Sequence, residues 1–397
     1  YPSTTPEKTL ARWILSLIII FPILAYCWYL YGNNITPAEM PTSVRSEPAA
    51  LSSNTTLDDG PYAFFSKSDQ QLELKWICNE QLIEKTQQVN DVIKPVCAYP
   101  RDITVRQHYT LEPLFRYSAE KVAVLSDIHG QYDVMTQLLS ANAVVDRNLN
   151  WAFGKGHLVV VGDVMDRGDK VTEILWWLYQ LEQQAGAAGG RVHLLLGNHE
   201  TMVLYNDLRY INKKYQQVAE RLGTDYTGLY NESSVLGQWL RSRPVLAQVN
   251  DMLFVHGGLH PDYLSLGMSV SEVNEQFRQS LGIARDKLKE VPVLNFLYGS
   301  LGPLWYRGYF RPEQAITEPL LSQLLTTLNV NRIVVGHTSM DGVYSHFAGR
   351  VISIDSNIKR GKSGEIMFWQ HGNLTRGTIS GEKLPMRSLP NTANSAD

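Results

Sequence analysis

The chain contains little cysteine, little excess charge and no internal repeat. Only three of its 397 residues are cysteines, and no two have the CxxC spacing, which excludes a zinc site of that type. The formal net charge is −3 and the basic residues form no stripe along the chain, so nucleic acid is not expected as a partner. The length suffices for one large catalytic domain and an appended segment.

Residues 13–32 lack charged side chains altogether and are mostly apolar. Twenty such residues can span the hydrocarbon core of a bilayer as a helix. Lys8 and Arg12 precede the segment, and positive charge favours the cytoplasmic side, so we expect residues 1–12 inside and the large domain outside. A cleaved signal peptide is the alternative. Residues 33–60, rich in Asn, Thr, Ser, Pro and Ala, are predicted to form a flexible tether.

Two cysteines, Cys78 and Cys97, belong to the part of the chain that this orientation places outside the cytosol. An even pair in an oxidising space predicts a disulfide that closes a loop of about 20 residues and stabilises the fold by about 3 kcal/mol. The alternative is a pair of reduced, buried thiols. The remaining cysteine, Cys27, lies inside the apolar segment.

Five short polar strings follow runs of apolar residues in a fixed order. They are SDIHG at 126–130, GDVMDRG at 162–168, GNHE at 197–200, VHGG at 255–258 and GHT at 336–338. The apolar runs are short and end at Gly, Asp or Asn, which favours buried strands over helices. Residues 133–144 and 172–185 instead repeat apolar residues at helical spacing. This β-α-β-α-β order predicts an α/β fold with the strings at the carboxyl ends of strands, where ligands bind in open sheets.

The strings supply carboxylate, amide and imidazole groups that together suit a pair of divalent metal ions. These candidate ligands are Asp127, His129, Asp163, Asn198, His256 and His337. On extended backbone Asp127 and His129, two residues apart, would point the same way and bind one ion. Asp163 can bridge both ions, and the remaining three would complete the second. Each string alone is an ordinary turn after a strand, but five in this order favour a metal site.

The strings resemble those of the calcineurin-like metallophosphoesterases, and among these the phosphoprotein phosphatase family, over about residues 120–358. GDVMDRG and GNHE are similar to that family's GDxxDRG and GNHE, and HGGLHPD is similar to its HGGLSPD. GHT and PLWYRG at 303–308 look more like the bacterial Shewanella-like phosphatases. The resemblance implies a four-layer αββα sandwich of two mixed sheets over residues 119–375. Residues 61–118 are then an appended segment, and 376–397 are predicted to be a disordered tail.

The resemblance also implies roles for residues beside the metal ligands. His199 would be the general acid on the leaving oxygen, and Asp166 would hold it in position. Arg167 and Arg307 would clamp the phosphate, which Asn198 would also contact. The implied cofactors are two divalent metal ions, manganese in the first place, with iron, zinc or magnesium as alternatives.

One position departs from the wider superfamily. Many members end the last motif as GHxH, whose second histidine binds the first metal, but Ser339 occupies that place here. The phosphoprotein phosphatases resemble this chain in lacking that ligand. Asp355 follows another predicted strand and is either a group behind the ligands or, preferably, a turn residue.

The expected activity is that of a two-metal phosphomonoesterase, in which a metal-bridging hydroxide attacks phosphorus in line. A phosphoprotein is the favoured substrate, a small phosphomonoester being the other. The alternatives are a dinucleoside-polyphosphate or nucleotide hydrolase and a non-catalytic receptor for a phosphorylated ligand. The bacterial resemblance and the orientation of residues 13–32 imply a single-pass inner-membrane protein with a periplasmic catalytic domain. Residues 201–243 contain five tyrosines: Tyr205, Tyr210, Tyr215, Tyr226 and Tyr230. They would either line the substrate cleft, which favours an aryl phosphate such as phosphotyrosine, or pack against the rest of the fold.

Overall fold

The computed structural model describes residues 56–67, 70–107 and 116–389. In these ranges we find no helix that is both long and apolar enough to cross a membrane. The predicted membrane helix at 13–32 and the stub at 1–12 lie outside the described residues. The predicted tether at 33–60 also lies largely outside them, but its last two residues already belong to the first strand, Asp59–Phe65.

The strands of the described residues form three sheets. The first is antiparallel and contains β1 (Asp59–Phe65), β2 (Gln71–Cys78) and β3 (Gln81–Gln88). The second is mixed and contains, in spatial order, β15 (Lys383–Pro385), β14 (Asn373–Thr378), β13 (Glu365–Gln370), β5 (Lys121–Leu125), β6 (His157–Val161) and β7 (Arg191–Leu195). The third, also mixed, contains β16 (Arg387–Ser388), β11 (Tyr344–His346), β12 (Val351–Ser353), β10 (Arg332–Val335), β9 (Met252–Val255), β8 (Leu246–Val249) and β4 (Arg116–Tyr117).

The helices lie between these strands along the chain. They are α1 (Tyr132–Ala141), α2 (Val171–Ala187), α3 (Asn198–Leu204), α4 (Lys213–Arg221), α5 (Val235–Arg241), α6 (Val270–Ser280), α7 (Arg285–Glu290), α8 (Pro292–Leu297) and α9 (Glu318–Leu328). Helices α1 and α2 occupy the two stretches that the apolar spacing predicts. Strands β5, β6 and β7 pair in parallel and are almost entirely buried, as expected of apolar runs covered on both faces. The predicted β-α-β-α-β unit is therefore confirmed.

Three apolar clusters hold the layers together. The middle cluster joins the two mixed sheets and includes Val124 and Val159 from one and Phe254 and Val334 from the other. A second cluster packs α1 and α2 on the outer face of the β5–β7 sheet. The third packs α6 and α9 on the outer face of the β9–β10 sheet. The order from one side to the other is thus helix, sheet, sheet, helix, with mixed sheets as the family resemblance implies.

The amino-terminal sheet is part of the body of the protein. Its buried side chains, such as Trp76, share the cluster that contains α2. The indole of Trp176 in α2 donates a hydrogen bond of 2.7 Å to the carbonyl of Pro61. A disulfide joins Cys78, at the end of β2, to Cys97, the pair that the sequence indicates. The predicted appended segment therefore packs on the helical layer as an extension of its core.

The prediction of a disordered tail from residue 376 is wrong for residues 376–388. Strand β14 continues the sheet by pairing with β13 over six residues, and β15 pairs with β14. Strand β16 then crosses to the other sheet and pairs with β11. The tail is polar, but hydrogen bonding to a buried neighbour can order a polar edge strand that has little apolar pattern of its own.

Two buried histidines lie side by side on β6 and β7, where His157 Nδ1 and His193 Nε2 are 3.0 Å apart. The ring of Tyr117 packs against His193. Burial and Arg191 lower the pKa of His157 to about 4. Burial, His157, Arg191 and Arg243 together lower the pKa of His193 well below its usual range. The folded protein therefore binds fewer protons than the unfolded chain below the usual histidine pKa of about 6.5.

We therefore expect the free energy of unfolding to fall as the pH drops from about 6.5 toward 4, because protonation favours the unfolded chain. Urea unfolding near neutral pH and near pH 5 measures the loss. A His157→Gln variant should lose less stability over the same interval. Equal losses in the two proteins would contradict this origin of the acid sensitivity.

Candidate metal centre and active site

The predicted ligands meet where strands of both mixed sheets end. Asp127 and Asp163 follow β5 and β6, and Asn198 opens α3 just after β7. His256 and His337 follow β9 and β10 of the other sheet. All five are at least 95% buried. The structure thus brings together residues that are up to 210 positions apart in the sequence. The backbone amide of His337, for example, donates a hydrogen bond to the carboxylate of Asp127.

The backbone beneath these side chains is left-handed rather than extended. Asp127 has φ of 54° and His129 has φ of 49°, so the expectation that extended backbone aligns them is wrong. They still converge, with His129 Nε2 at 3.9 Å from Asp127 Oδ1. Positive φ occurs at six residues of the site. Five are aspartates or histidines, which tolerate this conformation better than most residues, and the sixth is an arginine. They are Asp127, His129, Asp163, Asp166, Arg167 and His337.

Close backbone approach explains two of the glycines. A Cβ on Gly162 would lie 2.5 Å from the amide nitrogen of Gly197, and a Cβ on Gly197 would lie 2.2 Å from Asp163 Oδ1. Neither position can accept a side chain unless the ends of β6 and β7 separate. The two glycines therefore allow the polar strings after these strands to touch.

One oxygen atom, Oδ2 of Asp163, lies at the centre of the cluster. His256 Nε2 is 3.1 Å from it, His129 Nε2 is 3.5 Å and His199 Nε2 is 3.8 Å. The other oxygen, Oδ1, accepts a hydrogen bond of 3.0 Å from the backbone amide of His199. Burial disfavours the ionised form, but the imidazoles of His256 and His199 hold the pKa of Asp163 well below its usual range. The carboxylate of Asp163 is therefore held in the ionised form that a cation ligand needs.

The imidazoles are oriented by backbone carbonyl groups. His129 Nδ1 lies 2.8 Å from the carbonyl of Met165, and His256 Nδ1 lies 2.7 Å from that of Val161. With Nδ1 donating to a carbonyl, each Nε2 faces the cluster and would bind a cation once it carries no proton. Burial lowers the pKa of His256, but the carboxylate of Asp163 outweighs burial and raises that pKa to about 9. Burial is the main cause that lowers the pKa of both His129 and His337 well below the usual range. Neutral imidazole is the form that binds metal.

The donor set fits two divalent ions. Ligand atoms of His129, Asp163 and His199 lie within 4.8 Å of one another, and so do those of Asp163, His256 and His337. Among the described residues, the buried Nε2 of His337 finds no hydrogen-bond partner. Such an orphaned nitrogen is costly unless an ion occupies the position it faces. Asn198 completes this side of the cluster, with Oδ1 at 3.0 Å from His256 Nε2.

Asp127 is a buried carboxylate with a second carboxylate, Asp355, nearby. Its Oδ2 accepts hydrogen bonds from Ser126 Oγ at 2.7 Å and from the amide of His337 at 2.9 Å. Burial, followed by the neighbouring carboxylate of Asp355, raises the pKa of Asp127 well above its usual range. A cation bound beside it would have the opposite effect on that pKa. The serine was not anticipated from the sequence.

His199 differs from the other imidazoles in its partner. Its Nδ1 is 2.6 Å from Asp166 Oδ2, so a carboxylate rather than a carbonyl orients the ring. Burial raises the pKa of Asp166, although its hydrogen bond with His199 works against this. Arg167 Nη2 lies 3.5 Å from His199 Nε2. The three side chains to which the resemblance assigns these roles therefore lie together; the roles themselves stay predictions.

Arg307 reaches the site from the loop after α8. Its Nη1 donates to the carbonyl of His337 at 2.6 Å and to Thr338 Oγ1 at 3.2 Å. These bonds hold the guanidinium of Arg307 beside His337, one of the predicted ligands of the second ion. Burial and the nearby guanidinium of Arg311 lower the pKa of Arg307. An anion bound beside Arg307 would offset the repulsion from Arg311.

Ser339, the residue at the missing histidine position, turns away toward Asp355. Its Oγ donates a hydrogen bond of 2.6 Å to Asp355 Oδ2, and Lys359 Nζ is 3.5 Å from the same oxygen. Asp355 Oδ1 also accepts from the amide of Asn357 at 3.0 Å. Asp355 therefore acts as a turn residue and lies behind the ligands at the same time.

Glu200 is the main residue that the sequence analysis overlooked. This fully buried carboxylate accepts hydrogen bonds from four backbone amides, at 2.7 to 2.9 Å: those of Asp163, Val164, Met165 and Gly197. The bonds join the turn after β6 to the turn after β7. Its position at the third residue of α3 is a familiar acidic capping site, which could have identified it.

Replacing Glu200 with glutamine should lower the free energy of unfolding by about 2–3 kcal/mol, because an amide NH₂ group would face two buried N–H donors. Equilibrium urea unfolding measures the change. The exposed Glu220 on α4 provides the matched control, and Glu220→Gln should leave stability within about 0.5 kcal/mol of the parent. Equal stability of the two variants would show that the two bonds lost to the amide NH₂ group contribute nothing.

Comparison with known proteins adds independent findings. Residues 120–341 match the family model described as calcineurin-like phosphoesterase. An uncharacterised protein of Schizosaccharomyces pombe is 32% identical over 62% of this chain and 75% of its own length. Shewanella-like protein phosphatase 2 of Arabidopsis thaliana is 24% identical over 61% of this chain and 72% of its own. The crystal structure of a cold-active protein-tyrosine phosphatase from a psychrophilic Shewanella species superimposes with a TM-score of 0.78, at 40% identity, over 83% of this chain and 99% of that one.

Proposed function

The chain belongs to the calcineurin-like phosphoesterase family, and we propose that it is a two-metal protein phosphatase. It is a metal-dependent phosphoester hydrolase related to the Shewanella-like protein phosphatases. The observation that carries the proposal is the cluster around Asp163 Oδ2, with three imidazole Nε2 atoms within 3.8 Å. A carboxylate oxygen with imidazoles on both sides suits a dinuclear centre.

The residues divide between two ions as follows. Asp127, His129 and Asp163 would hold the first, and Asp163, Asn198, His256 and His337 would hold the second. When bound, two divalent ions, with manganese as our first choice, would activate a water molecule and neutralise charge that develops on the phosphate. His199 also lies within reach of the first group, but its bond to Asp166 supports its assignment as the acid.

The side chains around the ions would bind and orient the phosphate. Arg167 and Arg307 would clamp its oxygens, because a planar guanidinium matches two of them at once, and the amide of Asn198 would contact it as well. Asp166 would fix the ring of His199 so that Nε2 presents its proton to the leaving oxygen. The described site offers no cysteine near these groups, and we assign no covalent intermediate to the chain's own residues.

A phosphoprotein is the proposed substrate, and the proposed location is the outer side of the bacterial inner membrane. Support for the substrate comes from the relatives, whose names are those of protein phosphatases. Support for the location comes from the uncharged segment at 13–32 and from the disulfide between Cys78 and Cys97, a bond typical of oxidising compartments. Fractionation of cells that express the tagged full chain would show whether the protein stays with the membranes or is cleaved and released.

A hydrolysis assay with the purified full chain tests the function. The substrates are a phosphopeptide, p-nitrophenyl phosphate and a dinucleoside tetraphosphate, each with Mn²⁺ and with excess EDTA. We expect phosphate release from the first two, loss of at least about 10²-fold with EDTA, and recovery when Mn²⁺ is restored. Faster turnover of the dinucleotide would support the nucleotide hydrolase instead. Binding of the phosphopeptide without turnover would support the receptor.

A further inference from the structure

Tyr210 lies beside the proposed acid and is 40% exposed, which is unusual for a large side chain at a buried site. Its ring centroid is 5.2 Å from that of His199, with the two planes inclined at 49°. The guanidinium of Arg167 lies 5.2 Å from the same centroid. One aromatic ring therefore touches both the group that would protonate the leaving oxygen and a group that would bind the phosphate.

The position of Tyr210 is fixed by the backbone. The amide of Arg167 donates a hydrogen bond of 2.9 Å to the carbonyl of Tyr210, and Asn212 Nδ2 donates one of 2.8 Å to the carbonyl of Arg167. The preceding Arg209 is 5.6 Å from the ring and is itself held by Asp207. The ring is thus tied to the turn that carries Arg167, and it would keep its place relative to a bound phosphate.

The direction of the leaving group follows from what surrounds His199. Its ring packs at 4.6 Å against His129, a proposed metal ligand that is 1% exposed, and at 5.2 Å against the exposed Tyr210. On this side of the site, a line of ring contacts therefore runs from His129 through His199 to the exposed Tyr210. A leaving oxygen that takes its proton from His199 would place the neighbouring part of the substrate within reach of the Tyr210 ring.

The other tyrosines of the segment are not candidates for this contact. Tyr215, Tyr226 and Tyr230 are buried in the apolar core, so for these three the packing alternative is confirmed. Tyr205 is half-buried and packs edge-on against Tyr298. In the described part of 201–243, Tyr210 is the tyrosine with both an exposed face and a contact to the proposed acid.

We propose that Tyr210 sets the specificity of the enzyme for aryl phosphates, with phosphotyrosine as the substrate class, by packing against the aromatic ring of the leaving group. The inference rests on the proposed function. A phenol ring beyond His199 would meet the face or edge of Tyr210, whereas a serine side chain has no ring to offer. An aromatic pair of this kind favours the aryl substrate by about 2- to 12-fold, which corresponds to ~0.5–1.5 kcal/mol.

The test compares two peptides of identical sequence that carry phosphotyrosine or phosphoserine at the same position. The readout is the ratio of their kcat/KM values for the full-length parent and for Tyr210→Ala, Tyr210→Phe and Tyr205→Ala. We expect Tyr210→Ala to lower the phosphotyrosine-to-phosphoserine ratio by about 2- to 12-fold. Tyr210→Phe keeps the ring and should retain the parent ratio, as should the matched control Tyr205→Ala.

A general loss of folding or of metal lowers both rates and cancels in the ratio, so the measurement reports selectivity alone. A parental ratio in Tyr210→Ala, or an equal fall in Tyr205→Ala, would overturn the inference and leave the proposed function standing. A parent protein that hydrolyses neither peptide would overturn the proposed function, and the inference with it.

Discussion

Asparagine in place of Asp163 is expected to lower kcat for p-nitrophenyl phosphate by about 10³-fold or more while the protein remains folded. The substitution keeps an oxygen for the amide of His199 but replaces the central Oδ2, which lies within 3.8 Å of three imidazoles, with an NH₂ group. An NH₂ group cannot ligate a cation, and the charge stabilisation supplied by metal ions is worth several kcal/mol. Steady-state kinetics, together with metal content by elemental analysis, measures both losses.

The control for this experiment is Asp133→Asn. Asp133 is an exposed carboxylate that pairs with Lys170 at 2.7 Å. Its substitution should leave kcat within about twofold of the parent value, because surface ion pairs contribute little. Circular dichroism shows whether each variant is folded. If Asp163→Asn retained a rate within tenfold of the parent, Asp163 could not be the shared ligand, and the two-metal proposal would have to be abandoned.

The second large effect is expected from His199→Asn, with a loss of about 10²- to 10⁴-fold that depends on the leaving group. A good leaving group such as p-nitrophenolate needs little protonation, whereas an alkoxide needs a proton as the bond breaks. The variant should therefore lose much more activity on an alkyl phosphate than on p-nitrophenyl phosphate. Metal content should stay at the parental level, which distinguishes this variant from Asp163→Asn.

A ligand role for His199 would produce a different pattern. Metal would then be lost, and the rates for aryl and alkyl phosphates would fall by similar factors. Asp166→Asn provides a graded comparison, because it leaves the imidazole in place and removes only the carboxylate that lies 2.6 Å from Nδ1. We expect its loss to be smaller, about 10- to 100-fold, as is usual for a group that orients another.

The sequence predicted the parts of the site that depend on strand order. Apolar runs identify β5, β6 and β7, and side chains that end parallel strands of one sheet must lie near one another. The arrival of His256 and His337 from a second sheet could be expected only from the family resemblance, since no local pattern relates β9 and β10 to β6. The same holds for the sandwich of two mixed sheets.

Other features lie beyond what a hydrophobic pattern can indicate. Alternation and apolar runs distinguish strand from helix but carry no information on the left-handed turns at Asp127 and His129. The four bonds of Glu200 require two turns to meet in space. The polar composition of β14 to β16 predicts a disordered tail, whereas their order comes from pairing with neighbouring strands. In the sequence, Tyr210 likewise cannot be distinguished from the other four tyrosines of residues 201–243. The exposure of its ring in the structure distinguishes it.

The left-handed backbone at six of the site residues has a consequence for how such a protein changes over evolutionary time. An L-amino acid in that conformation costs roughly 1 kcal/mol, less for Asp and His than for most. Glycine at any of these positions would relieve the local cost while removing a side chain that the chemistry needs. A lineage released from selection for catalysis should therefore drift away from these residues first, becoming more stable as it becomes inactive. The chain carries a side chain at all six positions, against the preference of the backbone, and this is the pattern expected of a protein that is selected for activity.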